Sequence, residues 1–536
     1  MQAKPTKSDS ARRIAILSLV IAGESRKPIQ DRTSGHITIM SNQDDSDTRT
    51  RIRALGVLGI ALLLPVLLAI VVFPTAMYDT RELIAWGREF PIVTPFHPPM
   101  MVWIGGIVDR LFGTSAAVMI LTGQVLIAAG LLYFYCTLRL ATTRDNALLF
   151  TFLYGTSSYT IFAPLSFALN ADVLQLTSWP AVLFHFLRAA QSDRMRHWIG
   201  FGFWSAAAIL TKYNAVVLFL GMASGIFLLP AFRTVLKRPG LYVAITTGSI
   251  LILPHVIAVF RHSAAFEYGL DHFDLQNPLS QRLNGVAELF QSYLVFAAPA
   301  YLTVAVGLWK RILTFRTARQ DRSSAPQFLL FTATAAHIIL VTLVMITGLN
   351  FLARFGAPYI MLTFLACAPF IGVNGSSLRW FDRIVVPSVG ALYLTAGIAV
   401  AAIFTAFASH SVMQEPTAEA ARLIFKDWDS RYSCGPAYFV GGRQSVYGVG
   451  IEATRNVTVL AYREIASAAW YDDNKLRTGG AVVMDTDPEF KERMLKYLPG
   501  KLYSAERKIT VPLRRTWTGK QFTFSYRFIA PQNCQH

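Results

Sequence analysis

The chain has 536 residues, of which 53% are hydrophobic and only 15% charged. Soluble domains carry about 25% charged residues, so a water-soluble globular protein is excluded for most of this length and lipid is the solvent. The formal net charge of +18 does not mark a nucleic-acid binder, because no basic stripe with interleaved aromatics occurs; it fits the cationic loops of a membrane protein.

Residues 1–53 are polar and basic and are expected to be a disordered cytoplasmic N-terminus. "RRIAILSLVIAGESRK" has an apolar centre too short to span and no convincing small-residue cleavage site, so no signal peptide is expected. Met40 is a second candidate start of translation. A bilayer core takes roughly 20 apolar residues as a helix. Candidate spans follow at 54–74, 114–137, 146–164, 173–190, 198–211, 214–230, 241–260, 286–308, 328–349, 357–374 and 385–408. The weakest pair is 198–211 and 214–230, because Lys212-Tyr213 leaves almost no loop. With the N-terminus inside, fourteen Lys and Arg fall in the later inner loops against seven in the outer ones, as the positive-inside rule requires. An odd number of spans then puts the C-terminus outside. The fold class predicted is a polytopic α-helical membrane protein of about eleven transmembrane helices, with a small C-terminal α/β domain on the outer face.

That segment, 409–536, is polar and mixed. "AYFVGG", "VTVLAY", "AVVMDT", "KITVPL" and "FTFSYRFIA" read as strands, and "DPEFKERMLKYL" as a helix with an acidic start and a basic end. Cys136 and Cys367 fall in spans, where a thiol is a small hydrophobe. Cys434 and Cys534 are the two cysteines of the outer segment. An oxidising compartment lets them pair; two free thiols are the alternative. The sequons at Asn374 and Asn456 read as chance.

The first outer loop, 75–113, carries "MYDTRELIAWGREFPIVTPFHPPMMVW". If Asp79 to Phe90 is helical, Leu83, Trp86 and Phe90 share an apolar face suited to lie in the membrane interface, and Asp79 and Glu82 sit side by side. The prolines at 91, 95, 98 and 99 end that helix and stiffen the return. Two carboxylates and His97 are thereby placed at the mouth of the bundle; an ordinary solvated loop is the bland alternative. Other outer loops add Asn170 and Asp172 in "FALNAD", Lys212-Tyr213, His255 and Arg261 in "LPHVIAVFRH", and Arg354 in "NFLARFGAPY". Ionisable groups at membrane depth are costly and often functional, although single Lys or Arg side chains also snorkel to the interface.

The order acid, Trp86, "HPPMMVW" resembles the first outer loop of the GT-C class of membrane glycosyltransferases, in the bacterial branch similar to protein O-mannosyltransferases and the lipid A aminoarabinose transferase. "FALNAD" with "SWP", "FGFWSAAAILTKYNAVV" and "ARFGAPY" resemble further motifs of that class, and the likeness spans 54–536. Where many members have adjacent acids, Asp79 here is followed by Thr80, and the second acid is Glu82. The resemblance implies a transmembrane catalytic module at 54–408, a periplasmic α/β domain at 409–536, and a site facing the periplasm in the bacterial inner membrane. It implies transfer of a sugar from a polyprenyl-phosphate donor to an envelope acceptor (lipid A, lipopolysaccharide core, another glycolipid or protein), with inversion in one displacement. Asp79 would be the general base or orient the acceptor, and Glu82 is the second candidate catalytic acid. Lys212 and Arg354, with Arg261, would hold the phosphate; His97, Asn170, Asp172, Tyr213 and His255 would bind substrate. His97 and His255 would position phosphate or hold a divalent metal with Asp79; no other cofactor is implied. The alternative is a secondary transporter or lipid flippase, which usually shows internal repeats and a midplane site; no repeat is visible.

Overall fold

The computed structural model describes residues 37–95, 97–157, 169–262, 274–315, 324–373, 375–407, 412–453, 457–484, 496–498, 500, 503–532 and 534, with backbone alone for 37–47, 375, 376 and 407. The chain divides into two compact units, 1–49 and 50–536. Helix α1 (Ile37–Val71) begins in the first; the second holds every other described element. These are α2 (Tyr78–Glu89), α3 (Met100–Phe112), α4 (Ala116–Arg139), α5 (Arg144–Gly155), α6 (Ala171–Ser192), α7 (Met195–Thr211), α8 (Ala215–Leu228), α9 (Pro239–Arg261), α10 (Leu279–Trp309), α11 (Ala325–Thr347), α12 (Ala357–Cys367) and α13 (Ser377–Ala406).

The chain is a polytopic membrane protein. A described helix overlaps each predicted span; residues 158–164 of the span 146–164 lie outside the described residues, and the span 357–374 ends early, because Ile371–Gly372 is a strand. Among the described residues seven helices are long and apolar enough to cross a bilayer, and α8 with the helical turns Pro230–Lys237 forms a further candidate, bent by 103°. Helix α6 is not one of the seven, and its place explains why. From Ala171 to Leu183 every residue is buried, so its neighbours shield Asp172, Gln175, Thr177 and Ser178 from lipid. Contacts between loops respect two ends. Arg51 pairs with Asp145 at 2.8 Å and Arg53 with Asp382 at 3.1 Å, all in segments expected inside. Strands β1 (Thr314–Phe315) and β2 (Ile371–Gly372) pair antiparallel in the same set of loops. The loops expected outside meet one another instead.

Against those loops, the C-terminal segment builds a five-stranded sheet in the order β4-β3-β5-β7-β6. Strands β3 (Tyr438–Gly441), β4 (Thr458–Ala461) and β5 (Ala481–Met484) are parallel; β6 (Arg507–Pro512) and β7 (Gln521–Ile529) add an antiparallel hairpin. All five fall on the predicted strand-like runs. The parallel strands are buried on both faces because side chains alternate. Phe439, Val459, Val482 and Met484 join one core, Tyr438, Val440, Leu460 and Val483 the other. Helices α14 (Thr417–Asp429), α15 (Arg443–Gly450) and α16 (Asp473–Gly479) complete the segment. The predicted helix at 487–498 lies almost wholly outside the described residues, as do Asn374 and Asn456. Cys434 and Cys534 form a disulfide with Cα atoms 5.6 Å apart.

Two features correct the reading of the first loop. Helix α2 forms as expected, with Asp79 in its first turn and Arg88 in its last, where acid and base complement the helix dipole. Its apolar face, however, does not meet lipid. Leu83 and Trp86 are buried in one core with Val446, Tyr447 and Val449 of α15 and Val459 of β4, while Phe90 caps the helix, partly exposed, with a left-handed backbone. The second feature is α3, a helix the sequence reading left inside the loop. It crosses α2 where Gly87 and Gly106 bring the two backbones into contact.

Candidate active site

The loops expected outside enclose a cavity of about 460 Å³, whose polar lining includes Asp79, Glu82, His97, Asn170, Asp172, Lys212, Tyr213, Asn214, Arg354 and Arg443. Each reaches it for a local reason. Asp79 and Glu82 lie three residues apart on α2 and so share a face. Asn170 caps α6, its side chain accepting from the Val173 amide at 3.0 Å, which sets Asp172 in the first turn. Helix α7 stops at Thr211 and Lys212 turns extended (φ −163°, ψ 132°). Lys212 Nζ then lies 2.6 Å from Asp172 Oδ1 and 3.8 Å from the centre of the Phe355 ring. Arg354 lies beside the same ring, at 5.2 Å, and 3.6 Å from Asp79 Oδ2. Glu288 accepts from the Ala353 amide at 2.9 Å and anchors that turn.

The sequence reading had no means to find Arg443. It is the first residue of α15, directly after Gly441-Gly442 at the end of β3. Its Nε donates to Glu82 Oε2 and its Nη2 to Asp79 Oδ1, the latter at 3.0 Å. One guanidinium thus bridges both candidate acids. Nothing in the local sequence marks it; "GGR" after a strand reads only as a turn into a helix.

Two predicted residues take other places. Arg261 ends α9 exposed, and it does not line the cavity. His255 is buried beside the cavity without lining it. Its Nδ1 lies 2.8 Å from the Ile92 carbonyl and must donate there, so Nε2 accepts from Tyr213 Oη at 2.8 Å. His255 therefore ties Tyr213 to the first loop.

The cavity holds three acids, Asp79, Glu82 and Asp172, against three bases, Lys212, Arg354 and Arg443. Burial pushes Glu82 above the ordinary carboxylate range and Arg443 offsets part of that rise. Burial, with Lys212 next in weight, holds the His97 imidazole down to about 3, neutral at any physiological pH. Behind α2, Glu464 is fully buried and raised by burial and by Glu82. It accepts from Tyr447 Oη, from Trp86 Nε1 at 3.3 Å and from the Ala461 amide at 3.2 Å. Among the described residues no three His, Cys, Asp or Glu side chains gather to hold an ion. Asp79 and Glu82 already share Arg443, so these residues do not fit a resident metal. Below the polar groups the lining is apolar, from Val216, Val217 and Leu220 of α8 and Ile339, Leu340 and Leu343 of α11.

Residues 96–257 match the family described as dolichyl-phosphate-mannose-protein mannosyltransferase. Among solved structures the chain is similar to ArnT from Cupriavidus metallidurans bound to undecaprenyl phosphate, with TM-score 0.56 and 13% identity over 88% of this chain and 97% of that one. The apo state of the same protein gives TM-score 0.51 and 13% identity over 89% and 97%. No curated protein sequence matches the chain.

Proposed function

We propose that this chain, which carries the GT-C class fold expected from its first loop, is a membrane glycosyltransferase that moves a sugar from a polyprenyl-phosphate donor to an envelope acceptor. The observation that supports this most is the cavity itself. Carboxylates and cations converge at the outer mouth of the bundle, above an apolar wall between α8 and α11. A lipid phosphate has those two parts. Lys212 and Arg354, both against the Phe355 ring, hold the phosphate that becomes the leaving group, since charge-assisted hydrogen bonds to cations are the strong ones and they stabilise charge as it develops. The prenyl chain lies along Val216, Leu220, Ile339 and Leu343. Asp79 accepts the proton of the acceptor hydroxyl or orients it, and its charge favours an oxocarbenium-like transition state. His97 stays neutral and serves as a hydrogen-bond partner rather than a cation. The acceptor is an envelope glycolipid or protein, and the site faces the periplasm of a bacterial inner membrane with the N-terminus inside.

A transporter would place its charges near the midplane, whereas here they gather at helix ends and loops at one end of the bundle, beside Arg443 of the C-terminal segment. The test is deletion of the gene and complementation by wild type or Asp79→Asn at matched membrane levels, followed by mass spectrometry of envelope glycolipids. The expected result is one sugar mass lost on deletion and restored by wild type alone. Full restoration by Asp79→Asn would overturn the assignment of Asp79. No change in the deletion strain would remove a glycolipid as acceptor.

A further inference from the structure

We infer that Arg443, delivered by the C-terminal α/β segment, is a positioning residue that holds Asp79 and Glu82 together and aimed into the cavity. The inference rests on the glycosyl-transfer reading above.

Its place in the sheet is the first argument. From β3 the chain crosses through α15 to β4 on one side, and from β4 through α16 to β5 on the other. Arg443 therefore follows the carboxyl end of the strand at which parallel connections reverse, where open α/β sheets bind ligands. The segment is not merely a cover over the bundle; it inserts one side chain into the bundle's cavity.

The second argument is how that side chain is used. Nε serves Glu82 and Nη2 serves Asp79, so a single cation bridges two acids three residues apart. Glu82 is 1% exposed. Two carboxylates this close, one of them buried, share a proton unless a cation intervenes. The other groups around the pair do not replace Arg443. Arg354 reaches Asp79 at 3.6 Å, outside hydrogen-bond range. Lys212 is turned to Asp172, and His97 carries no charge. Tyr78 offers its ring to Arg443 at 5.4 Å. From the element after β4, Arg463 is near enough to act on Glu82 by charge, and Glu464 is turned to Tyr447, Trp86 and the Ala461 amide.

The sign follows. A proton acceptor works when ionised, so activity falls off on the acid side. Without Arg443, Glu82 loses the cation that offsets part of its upward shift and titrates still higher, and because Asp79 shares that guanidinium with Glu82 the acid limb moves up. An opposite charge within contact lowers a carboxylate by about 1–3 units, so Arg443→Gln shifts the limb up by about 1–2 units and lowers kcat by about 100-fold through misplaced acids. The affinity for undecaprenyl phosphate changes little, because Lys212 and Arg354 remain. Arg443→Lys keeps a cation but loses the fork that serves two partners, so it falls between wild type and Arg443→Gln. It also guards against the case in which Arg443→Gln fails to fold.

Two measurements on the full chain in detergent test this. Infrared pH titration, which needs no substrate, follows the protonated-carboxyl band in wild type, Arg443→Gln, Arg443→Lys and Arg443→Gln/Glu82→Gln. The expected result is a carboxyl in Arg443→Gln that titrates higher than in wild type and disappears in the double variant. Initial rates against pH, with the donor and acceptor identified by the deletion experiment, should show the same displacement. Infrared curves or acid limbs that coincide between wild type and both Arg443 variants would overturn the inference and leave the transferase reading standing. Wild-type protein that transfers no sugar would overturn the transferase reading, whatever the infrared titration gives.

Discussion

Lys212 lies between Asp172 and the Phe355 ring, and this makes a simple substitution ambiguous. Removing the cation also strands Asp172, which is 4% exposed. The double change Lys212→Gln/Asp172→Asn avoids the orphaned charge. It should fold, yet bind undecaprenyl phosphate about 10- to 100-fold more weakly, as expected for loss of one hydrogen bond to a charged group, about 1.5–3 kcal/mol. Binding by calorimetry at wild-type strength would remove Lys212 from the phosphate site. Lys212, Arg354 and Asp172 were legible because each is a charged residue at the end of an apolar run, where its cost in lipid demands a reason. Arg261 met the same criterion and failed it, since being at a helix end does not say toward which neighbour the side chain points. Arg443 met no local criterion. It lies 361 residues from Glu82, in a polar segment where an arginine is unremarked.

At the scale of elements, α2 shows what periodicity can and cannot tell. The spacing of Leu83 and Trp86 made the helix and its apolar face readable, but lipid and protein reward the same face. The choice fell to α15, β4 and the stretch after β4: the rings of Tyr447 on α15 and Trp470 on that stretch lie 6.5 and 6.4 Å from Trp86. The α2–α3 crossing was equally silent in sequence, because a glycine pair announces close approach only once the partner is known. A side chain at Gly106 would meet the Gly87 backbone directly. Gly106→Val should therefore force the helices apart at a cost of about 1–3 kcal/mol, lowering the melting temperature and tilting Asp79 and Glu82 away from the cavity. Unchanged melting and unchanged glycolipid product would contradict that packing role.

For the whole molecule, the decisive contact joins the first loop to the stretch that leads out of α13. Arg81 is fully buried. It donates to Glu415 at 3.0 Å, Thr75 at 2.6 Å and the carbonyls of Ala76 and Val412 at 2.6 Å. Thr80 ties the same helix to Leu169, before α6, at 3.1 Å. Arg81→Met should leave Glu415 buried without the Arg81 cation, costing about 3–5 kcal/mol, and should open the loop to proteolysis. Arg81→Met/Glu415→Leu should recover part of that loss. Equal protease resistance in wild type and the single variant would show that the ion pair does not hold the loop. The sequence by itself determined that most of the chain is apolar helix, where those helices fall, the strand runs of the C-terminal segment and most of the charges that line the cavity. These follow from local terms: apolar run length, side-chain period and the cost of a charge in lipid. Only the tertiary structure decided that α2 is covered by protein, that Arg261 stands aside and that Arg443 joins Asp79 and Glu82. Those outcomes depend on which distant surfaces pack together, and no window along the chain contains both partners.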